Sequence, residues 1–321
     1  MDKLDPQVKA LLDQFHANVS QQPILSASEK IGVTRQRVKA AAALGMPYEP
    51  VARVSDIDLD GPGGNIPARL YMPMAGALSP KSAPTLIYYH GGGFVAGDLD
   101  SHDTLLRALA NRAQCIVVSV DYRLAPEHPY PAANDDAWAA LSWVADHAAE
   151  IGADRTRLAV GGDSAGGLLA AWVAQKAKDH SIDLRLQVLL YPNLDATTSS
   201  ASWKTLGTGA YAVSHAEMRE WYDAYLPDGI SRTEPSVSPL FATNLTGLAP
   251  AFVVTADHDP LHDEGDEYAI KLKAANVLVD HTCWPGMMHG LASIAGVVDA
   301  GKVLIEQTAA ALRKAFGPSA G

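Results

Sequence analysis

The segment Gly161-Gly162-Asp163-Ser164-Ala165-Gly166-Gly167 constrains this chain more than any other stretch. It follows a short apolar run, Leu158 to Val160, and precedes a helical one, Ala165 to Lys178. Positions 162 to 166 read Gly-x-Ser-x-Gly. A sharp strand-to-helix turn of this kind forces the serine into a strained backbone conformation. Small residues two before and two after it let neighbouring backbone approach closely. The serine oxygen then projects above a sheet, at the start of a helix whose dipole favours developing negative charge. A phosphate-binding loop would end in Gly-Lys-Ser/Thr, which Gly166-Gly167-Leu168 does not supply. A dinucleotide fingerprint needs Gly-x-Gly-x-x-Gly, and Asp163 and Ser164 break that spacing. Taken alone, the motif is equally compatible with a glycine-rich turn around an ordinary serine.

Around it, strands and helices alternate. Val51 to Leu59 and Ile66 to Met72 read as two strands joined at Gly61-Pro62-Gly63-Gly64. A Gly/Pro/Ser-rich loop spans Ala75 to Pro84. Further strands are expected at Thr85 to Tyr89, Cys115 to Val120, Leu158 to Val160, Leu186 to Leu190, Ala251 to Thr255 and Val277 to Trp284. Helices fall at about Thr104 to Arg112, Asn134 to Ala149, Ala165 to Lys178, Asp263 to Ala274 and Ala300 to Phe316. This alternation argues for a mainly parallel sheet covered on both faces. Two helices precede it: Leu4, Val8, Leu11, Leu12, Phe15 and Val19 recur at helical spacing, and a second stretch covers about Glu29 to Leu44. Between Asn193 and Pro250 the alternation breaks into an irregular stretch that carries Trp203, Tyr211, Trp221, Tyr222 and Tyr225, which reads as an insertion packed over the sheet.

Composition excludes several classes. With 48% hydrophobic and 19% charged residues, the 321-residue chain can bury a large core and is not disordered. A net charge of −11 repels phosphate backbones and anionic membrane surfaces, so neither nucleic acid nor stable membrane association is expected. Cys115 and Cys283 lie in apolar, strand-like runs and read as free buried thiols rather than a disulfide framework. Met1-Asp2-Lys3-Leu4-Asp5 lacks the basic start and apolar run of a signal peptide, so the expectation is a cytoplasmic protein.

His90-Gly91-Gly92-Gly93-Phe94 follows the strand Thr85 to Tyr89 directly. Consecutive glycines leave backbone N–H groups unshielded and permit unusual dihedrals. Acyl transfer needs donors aimed at a tetrahedral oxyanion, and such a turn paired with the N–H after the nucleophile meets that need. The expected donors are the N–H groups of Gly92, Gly93 and Ala165, with His90 a structural hydrogen bonder.

With both motifs placed, the chain resembles the hormone-sensitive lipase family of α/β-hydrolases, also called bacterial family IV esterases. The likeness covers about Pro47 to the C-terminus and extends to the N-terminal helices. Three further stretches carry it: Asp121-Tyr122-Arg123-Leu124-Ala125-Pro126-Glu127-His128-Pro129, Asp259-Pro260-Leu261-His262-Asp263-Glu264-Gly265, and His289-Gly290. Two positions depart from the family's usual pattern, His262 where Arg is common and Leu291 where Phe is common.

The resemblance implies an α/β-hydrolase fold with a mostly parallel central sheet. It also implies a helical cap over Ser164, made from the N-terminal helices and the insertion. The expected divisions are 1–46 (N-terminal cap helices), 47–192 (first core part), 193–250 (cap insertion) and 251–321 (second core part). In this fold the chain order is Ser, then acid, then His. The resemblance assigns these roles to Ser164, Asp259 and His289, with Asp257 the main competing acid. Asp263 and Glu264 fit better near the N-terminus of the next helix, where acids complement the dipole. His258 and His262 stand four apart, but Pro260 between them disfavours the regular helix a metal pair would need. His281 reads as structural, as do Asp121, Arg123 and Glu127, a local ion-pair network. Phe94, Trp203, Tyr211, Met287 and Met288 are candidates to line the substrate pocket, each also compatible with ordinary core.

The implied activity is hydrolysis of small carboxylic esters of short to medium acyl chain, with no cofactor and no metal. Amide, formamide or lactone hydrolysis on the same fold is the alternative, and a non-catalytic binding protein the remote one. A homodimer through the strand Val277 to Trp284 and the last helix is a further expectation.

Overall fold

The computed structural model describes residues 3–17, 25–74 and 82–317. The strands are β1 (Arg53–Gly61), β2 (Gly64–Met72), β3 (Ala83–Tyr89), β4 (Ile116–Val120), β5 (Ala153–Asp163), β6 (Leu184–Leu190), β7 (Ala251–His258) and β8 (Val279–Met288). They form one sheet in the order β1-β2-β4-β3-β5-β6-β7-β8. β2 runs antiparallel to β1 and to β4, and the remaining pairs are parallel. The helices are α1 (Pro6–Ala17), α2 (Ala27–Ala41), α3 (Asp103–Ala113), α4 (Ala132–Asp146), α5 (Ala165–Asp179), α6 (Ala201–Leu206), α7 (His215–Tyr225), α8 (His262–Ala274) and α9 (Asp299–Phe316).

Every residue of β3 and β4 is buried, as expected for parallel strands covered on both faces. Successive side chains of a strand point to opposite faces. Leu86 and Tyr88 therefore join one apolar layer, where Leu105 and Leu109 of α3 and Leu304 and Leu312 of α9 cover them. Ile87 and Tyr89 join the other, with Leu141 of α4, Leu168 of α5 and Leu272 of α8. The sheet places its inner strands between these two layers, and the loops at its carboxyl edge are left to build a site.

Several boundaries differ from the sequence reading. β8 runs on through Pro285 and Gly286 to Met288 instead of stopping at Trp284. Proline donates no ladder hydrogen bond, which makes it a stop signal in a pattern, yet β8 is an edge strand and tolerates it. β5 begins at Ala153 and carries the glycine-rich turn out to Asp163. Ala83 and Pro84 belong to β3, while positions 75–81 of the expected loop lie outside the described residues, as do Val19 and the tail from 318.

The 193–250 stretch is less irregular than its composition suggests, since it contains α6 and α7. Ser214 and Glu217 start α7 with a reciprocal capping box, and Ser26 and Glu29 do the same for α2. These two helices meet. Lys30 pairs with Glu220 and Arg37 with Glu217, and Trp221 Nε1–H donates to Thr34 Oγ1 at 3.3 Å. α1 packs elsewhere: Val8, Leu11 and Leu12 share the α3/α9 layer with Met287 and Ile294, and the Asp5 N–H donates to the Gly286 carbonyl at 3.0 Å. Among the described residues, no helix is long and apolar enough to cross a membrane.

Candidate active site

β3 and β5 are neighbours, and the chain leaves β3 toward β4 but β5 toward β6, so their connections run in opposite directions. Open α/β sheets form ligand crevices at such a point, beyond the carboxyl ends of the strands. The loop after β3 is Gly91 to Gly97, and the turn after β5 carries Ser164. Ser164 adopts φ +54° and ψ −120°, a conformation that costs a non-glycine residue strain. The flanking glycines make that turn possible. A Cβ on Gly162 would lie 2.3 Å from the Gly166 carbonyl carbon, and one on Gly166 only 1.9 Å from the Tyr89 oxygen. The Ser164 carbonyl accepts the N–H groups of Gly167 and Asn193, each at 3.0 Å.

Ser164, Asp259 and His289 come together from three strand ends. His289 Nε2 stands 3.0 Å from Ser164 Oγ, and His289 Nδ1 stands 2.7 Å from Asp259 Oδ2. Asp259 is fully buried, and its Oδ1 accepts the Leu261 N–H at 2.9 Å. A carboxylate facing Nδ1 assigns the proton there, which leaves Nε2 as the acceptor for the serine hydroxyl. Burial alone would lower the His289 pKa. The charge and hydrogen bond of Asp259, with the charge of Asp163, outweigh it and raise the pKa above the ordinary imidazole value.

The competing acids face other partners. Asp257 pairs with His258 Nδ1 at 2.6 Å. Asp263, in the first turn of α8, accepts the Ser202 N–H at 2.7 Å and pairs with His262. Glu264 is buried, which pushes its carboxyl pKa up, and it accepts the Leu194 N–H at 2.8 Å and the Trp203 indole N–H at 3.3 Å. His281 bonds Asp266 at 2.9 Å. Among the described residues, no group of three or more His, Cys, Asp or Glu is arranged to hold a metal ion.

Gly92 and Gly93 take φ values of +129° and +64°, the region that favours glycine. Among the described residues, no backbone carbonyl accepts the N–H of Gly92, Gly93 or Ala165. His90 is fully buried, stacks on Tyr122 with ring centroids 4.3 Å apart, and has Nδ1 2.8 Å from the Gly91 carbonyl. Burial pushes its pKa down to about 4, so the ring is neutral near pH 7.

Further side chains stand beside the site, Asp163 in the position its place next to Ser164 suggests. Asp163 Oδ1 accepts the Tyr88 hydroxyl at 2.9 Å and the Gly91 N–H at 3.0 Å, so the residue before Ser164 is tied to the loop after β3. His102 Nε2 lies 3.0 Å from the same oxygen. Burial would raise the Asp163 pKa, but the imidazole of His102 and the hydroxyl of Tyr88 hold it below the usual carboxylate value. Tyr191 meets the His289 ring edge-on at 5.0 Å. Neither spacing nor residue type marks Tyr191, because it is brought in by the end of β6.

The pocket candidates divide. Phe94 stacks on Tyr225, and Trp203 sits on Glu264, both buried in the core. Met287 and Met288 are buried in the α3/α9 layer, while half-buried Tyr211 meets His258 edge-on at 5.2 Å. Two sequence readings need correction. Asp121, Arg123 and Glu127 do not form a network with one another: Arg123 pairs with Asp136 of α4, and Glu127 with Arg35 of α2. Asp121 is instead pushed up to about 6 by burial, with Asp98 adding to the shift. Cys115 is a buried free thiol as read, but Cys283 is only half-buried.

The pattern of the alpha/beta hydrolase fold family matches residues 86–293. Esterase LipI of Mycobacterium tuberculosis is 41% identical over 90% of this chain and 90% of its own. Carboxylesterase NlhH of the same organism is 41% identical over 98% of this chain and 96% of its own. Among solved structures, an ester-hydrolase from the metagenome of Lake Arreo superimposes with a TM-score of 0.92 at 40% identity, covering 98% of this chain and 100% of that one. The chain therefore belongs to the alpha/beta hydrolase fold family, within the hormone-sensitive lipase group whose motifs its sequence carries.

Proposed function

We propose that this protein hydrolyses small carboxylic esters of short to medium acyl chain, using Ser164 as nucleophile, His289 as base and Asp259 as the acid that orients it. The observation that carries the reading is the unbroken line from Asp259 Oδ2 through His289 to Ser164 Oγ, at 2.7 and 3.0 Å. Ser164 Oγ attacks the ester carbonyl as its proton passes to His289 Nε2. The tetrahedral oxyanion takes the N–H groups of Gly92, Gly93 and Ala165. His289 then returns the proton to the leaving alkoxide, and a water deprotonated by His289 releases the acid from the acyl-enzyme. The names of the relatives support an ester as substrate. A bounded acyl site is supported by the low exposure of Ser164, 8%, and by the Trp221 indole lying against Gly93. In this reading α1, α2 and residues 193–250 form the cap.

The test is hydrolysis of p-nitrophenyl esters across acyl lengths. Activity peaking at short chains is the expected result. No turnover of any ester, with turnover of amides or lactones, would replace the ester reading with one of its neighbours.

The raised pKa of His289 sets the pH profile. The base works in its neutral form, so kcat/KM should fall as pH drops through the histidine's pKa. Because that pKa is raised, the midpoint should lie above the ordinary value of about 6.5. A rate that stayed flat down to about pH 4 would remove His289 as the base.

A homodimer through the free edge of β8 and α9 belongs to the same proposal. Leu278, 76% exposed beside β8, and Val303 on α9 support it. Light scattering at micromolar concentration should give twice the chain mass, and a monomer mass would dismiss the dimer.

A further inference from the structure

Three successive residues of the loop after β3 are each held from outside by a different side chain. A Cβ on Gly93 would lie 2.6 Å from Cε3 of Trp221, so the indole rests directly on that glycine. Phe94, at φ +64°, stacks on Tyr225 of α7 with ring centroids 4.1 Å apart and planes 9° from parallel. The Val95 carbonyl accepts the Nε–H of Arg35, on α2, at 2.8 Å. The same guanidinium donates to the Ala125 carbonyl at 3.2 Å and to both oxygens of Glu127, at 2.9 and 2.6 Å. Ala125 closes the circuit, since its own N–H donates to the Phe94 carbonyl at 2.9 Å.

These contacts bear on a segment that needs them. A run of three glycines has many backbone conformations open to it, so a hole built on the Gly92 and Gly93 N–H groups needs its turn fixed from outside. Oxyanion donors accelerate a reaction because they are already aimed when charge develops. The arginine fork holds its donors rigidly with respect to one another, which a lysine ammonium does not. Its Glu127 pair is exposed and screened by water, so it contributes little by itself. The bonds to the Val95 and Ala125 carbonyls are part-buried, and they grip the loop backbone.

We infer that Arg35 is a positioning residue for the oxyanion hole, fixing from α2 the backbone turn that aims Gly92 and Gly93. The inference rests on the proposed ester hydrolysis for its kinetic consequence. Its structural core, restraint of residues 91–97 by Arg35, stands apart from any substrate. The hole is complete only when α2 is seated, so the helix outside the sheet takes part in the chemistry without touching the reacting atoms.

The experiment compares wild type with Arg35→Lys, Arg35→Met and Glu127→Gln. Lysine keeps a charge for Glu127 and lacks the Nε–H that Val95 receives. Glutamine removes the ion pair and leaves the Val95 bond. Three quantities are read: kcat and KM on p-nitrophenyl butyrate, the affinity of an aliphatic trifluoromethyl ketone, and hydrogen exchange of peptides covering 91–97. The ketone carbon takes the Ser164 oxygen, the serine proton passes to His289, and the ketone oxygen becomes the oxyanion.

Both Arg35 variants should lower kcat by about tenfold, less than the loss of a whole donor, with KM within about twofold. Ketone affinity should weaken by the same factor as kcat, exchange at 91–97 should quicken, and Glu127→Gln should match wild type. The inference is overturned if Arg35→Lys behaves as wild type in kcat and exchange. It is also overturned if Glu127→Gln loses as much as Arg35→Met, because Arg35 would then only anchor α2. Arg35→Lys and exchange decide the matter where Arg35→Met does not fold. A wild type that turns over no ester sinks the proposed function alone, and exchange at 91–97 still decides for or against Arg35.

Discussion

Ser164→Ala and His289→Ala should each lower kcat on a short-chain p-nitrophenyl ester by about a million-fold, and the double variant should fall no further. The contacts dictate the non-additivity. Among the described residues, the base within reach of Ser164 Oγ is His289, at 3.0 Å through Nε2, so losing either end removes one shared proton transfer. Asp259→Asn should cost about ten-thousand-fold, because the amide donates where the carboxylate accepted and holds the imidazole in the wrong tautomer. Asp259 is fully buried, so no water is at hand to replace the lost acceptor. All of these variants should leave a residual rate above the uncatalysed one, from the proposed oxyanion donors Gly92, Gly93 and Ala165 and from binding alone. The measurement is steady-state kcat, with the thermal unfolding midpoint alongside to separate lost chemistry from lost fold. Single variants whose losses multiply in the double would mean that Ser164 and His289 act in separate steps, which the shared contact forbids.

What could be read before folding depended on whether a demand is local. Gly162, Ser164 and Gly166 announce their turn because a strained serine and two close backbone approaches must be written within a few consecutive residues. Gly91 to Gly93 announce theirs for the same reason. The choice between Asp257 and Asp259 was harder. In a strand, residues two apart share a face, so alternation cannot separate them. The separation comes from β7 ending at His258, after which the chain turns at Pro260 and swings Asp259 toward His289. Aromatic residue type marks Phe94 and Trp203 as wall candidates, but type does not say which side of a wall a ring faces, and both are buried. Asp163 was visible only as a neighbour of Ser164. Its tie to Gly91 spans 72 positions, and Arg35 reaches Val95 across 60. Contacts of that range leave no periodicity or spacing in the chain, because they depend on strand order and on where a helix is set down. The same limit applies to β8, whose continuation past Pro285 follows from its place at the edge and not from its composition.

Gly166→Ala should destabilise the fold severely, while Gly32→Ala should make it slightly more stable. Both glycines lie in helices, Gly32 in α2 and Gly166 in the first turn of α5. Propensity alone would favour alanine at either by about 1 kcal/mol. At Gly32 nothing lies within 4 Å of the new Cβ, so propensity should decide, and the unfolding midpoint should rise by about 2 °C. At Gly166 the Cβ would stand 1.9 Å from the Tyr89 oxygen, 2.6 Å from the Tyr89 carbonyl carbon and 2.6 Å from the His90 oxygen. None of these atoms belongs to a flexible side chain. They belong to the end of β3 and to His90 just after it; β3 is paired to β4 and β5 and leads into the loop Gly91 to Gly97. Relief requires moving α5 away from the sheet by more than an ångström, which would open the layer packed around Leu168, Leu169 and Ile87. Overpacking and the voids it leaves cost several kcal/mol together, against a total stability of about 5–15 kcal/mol. Expression in the insoluble fraction, or an unfolding midpoint lowered by about 10 °C or more, is the expected result. A soluble Gly166→Ala protein with the wild-type midpoint would show that α5 does not approach β3 as closely as this turn demands. The strained conformation of Ser164 would then need another cause.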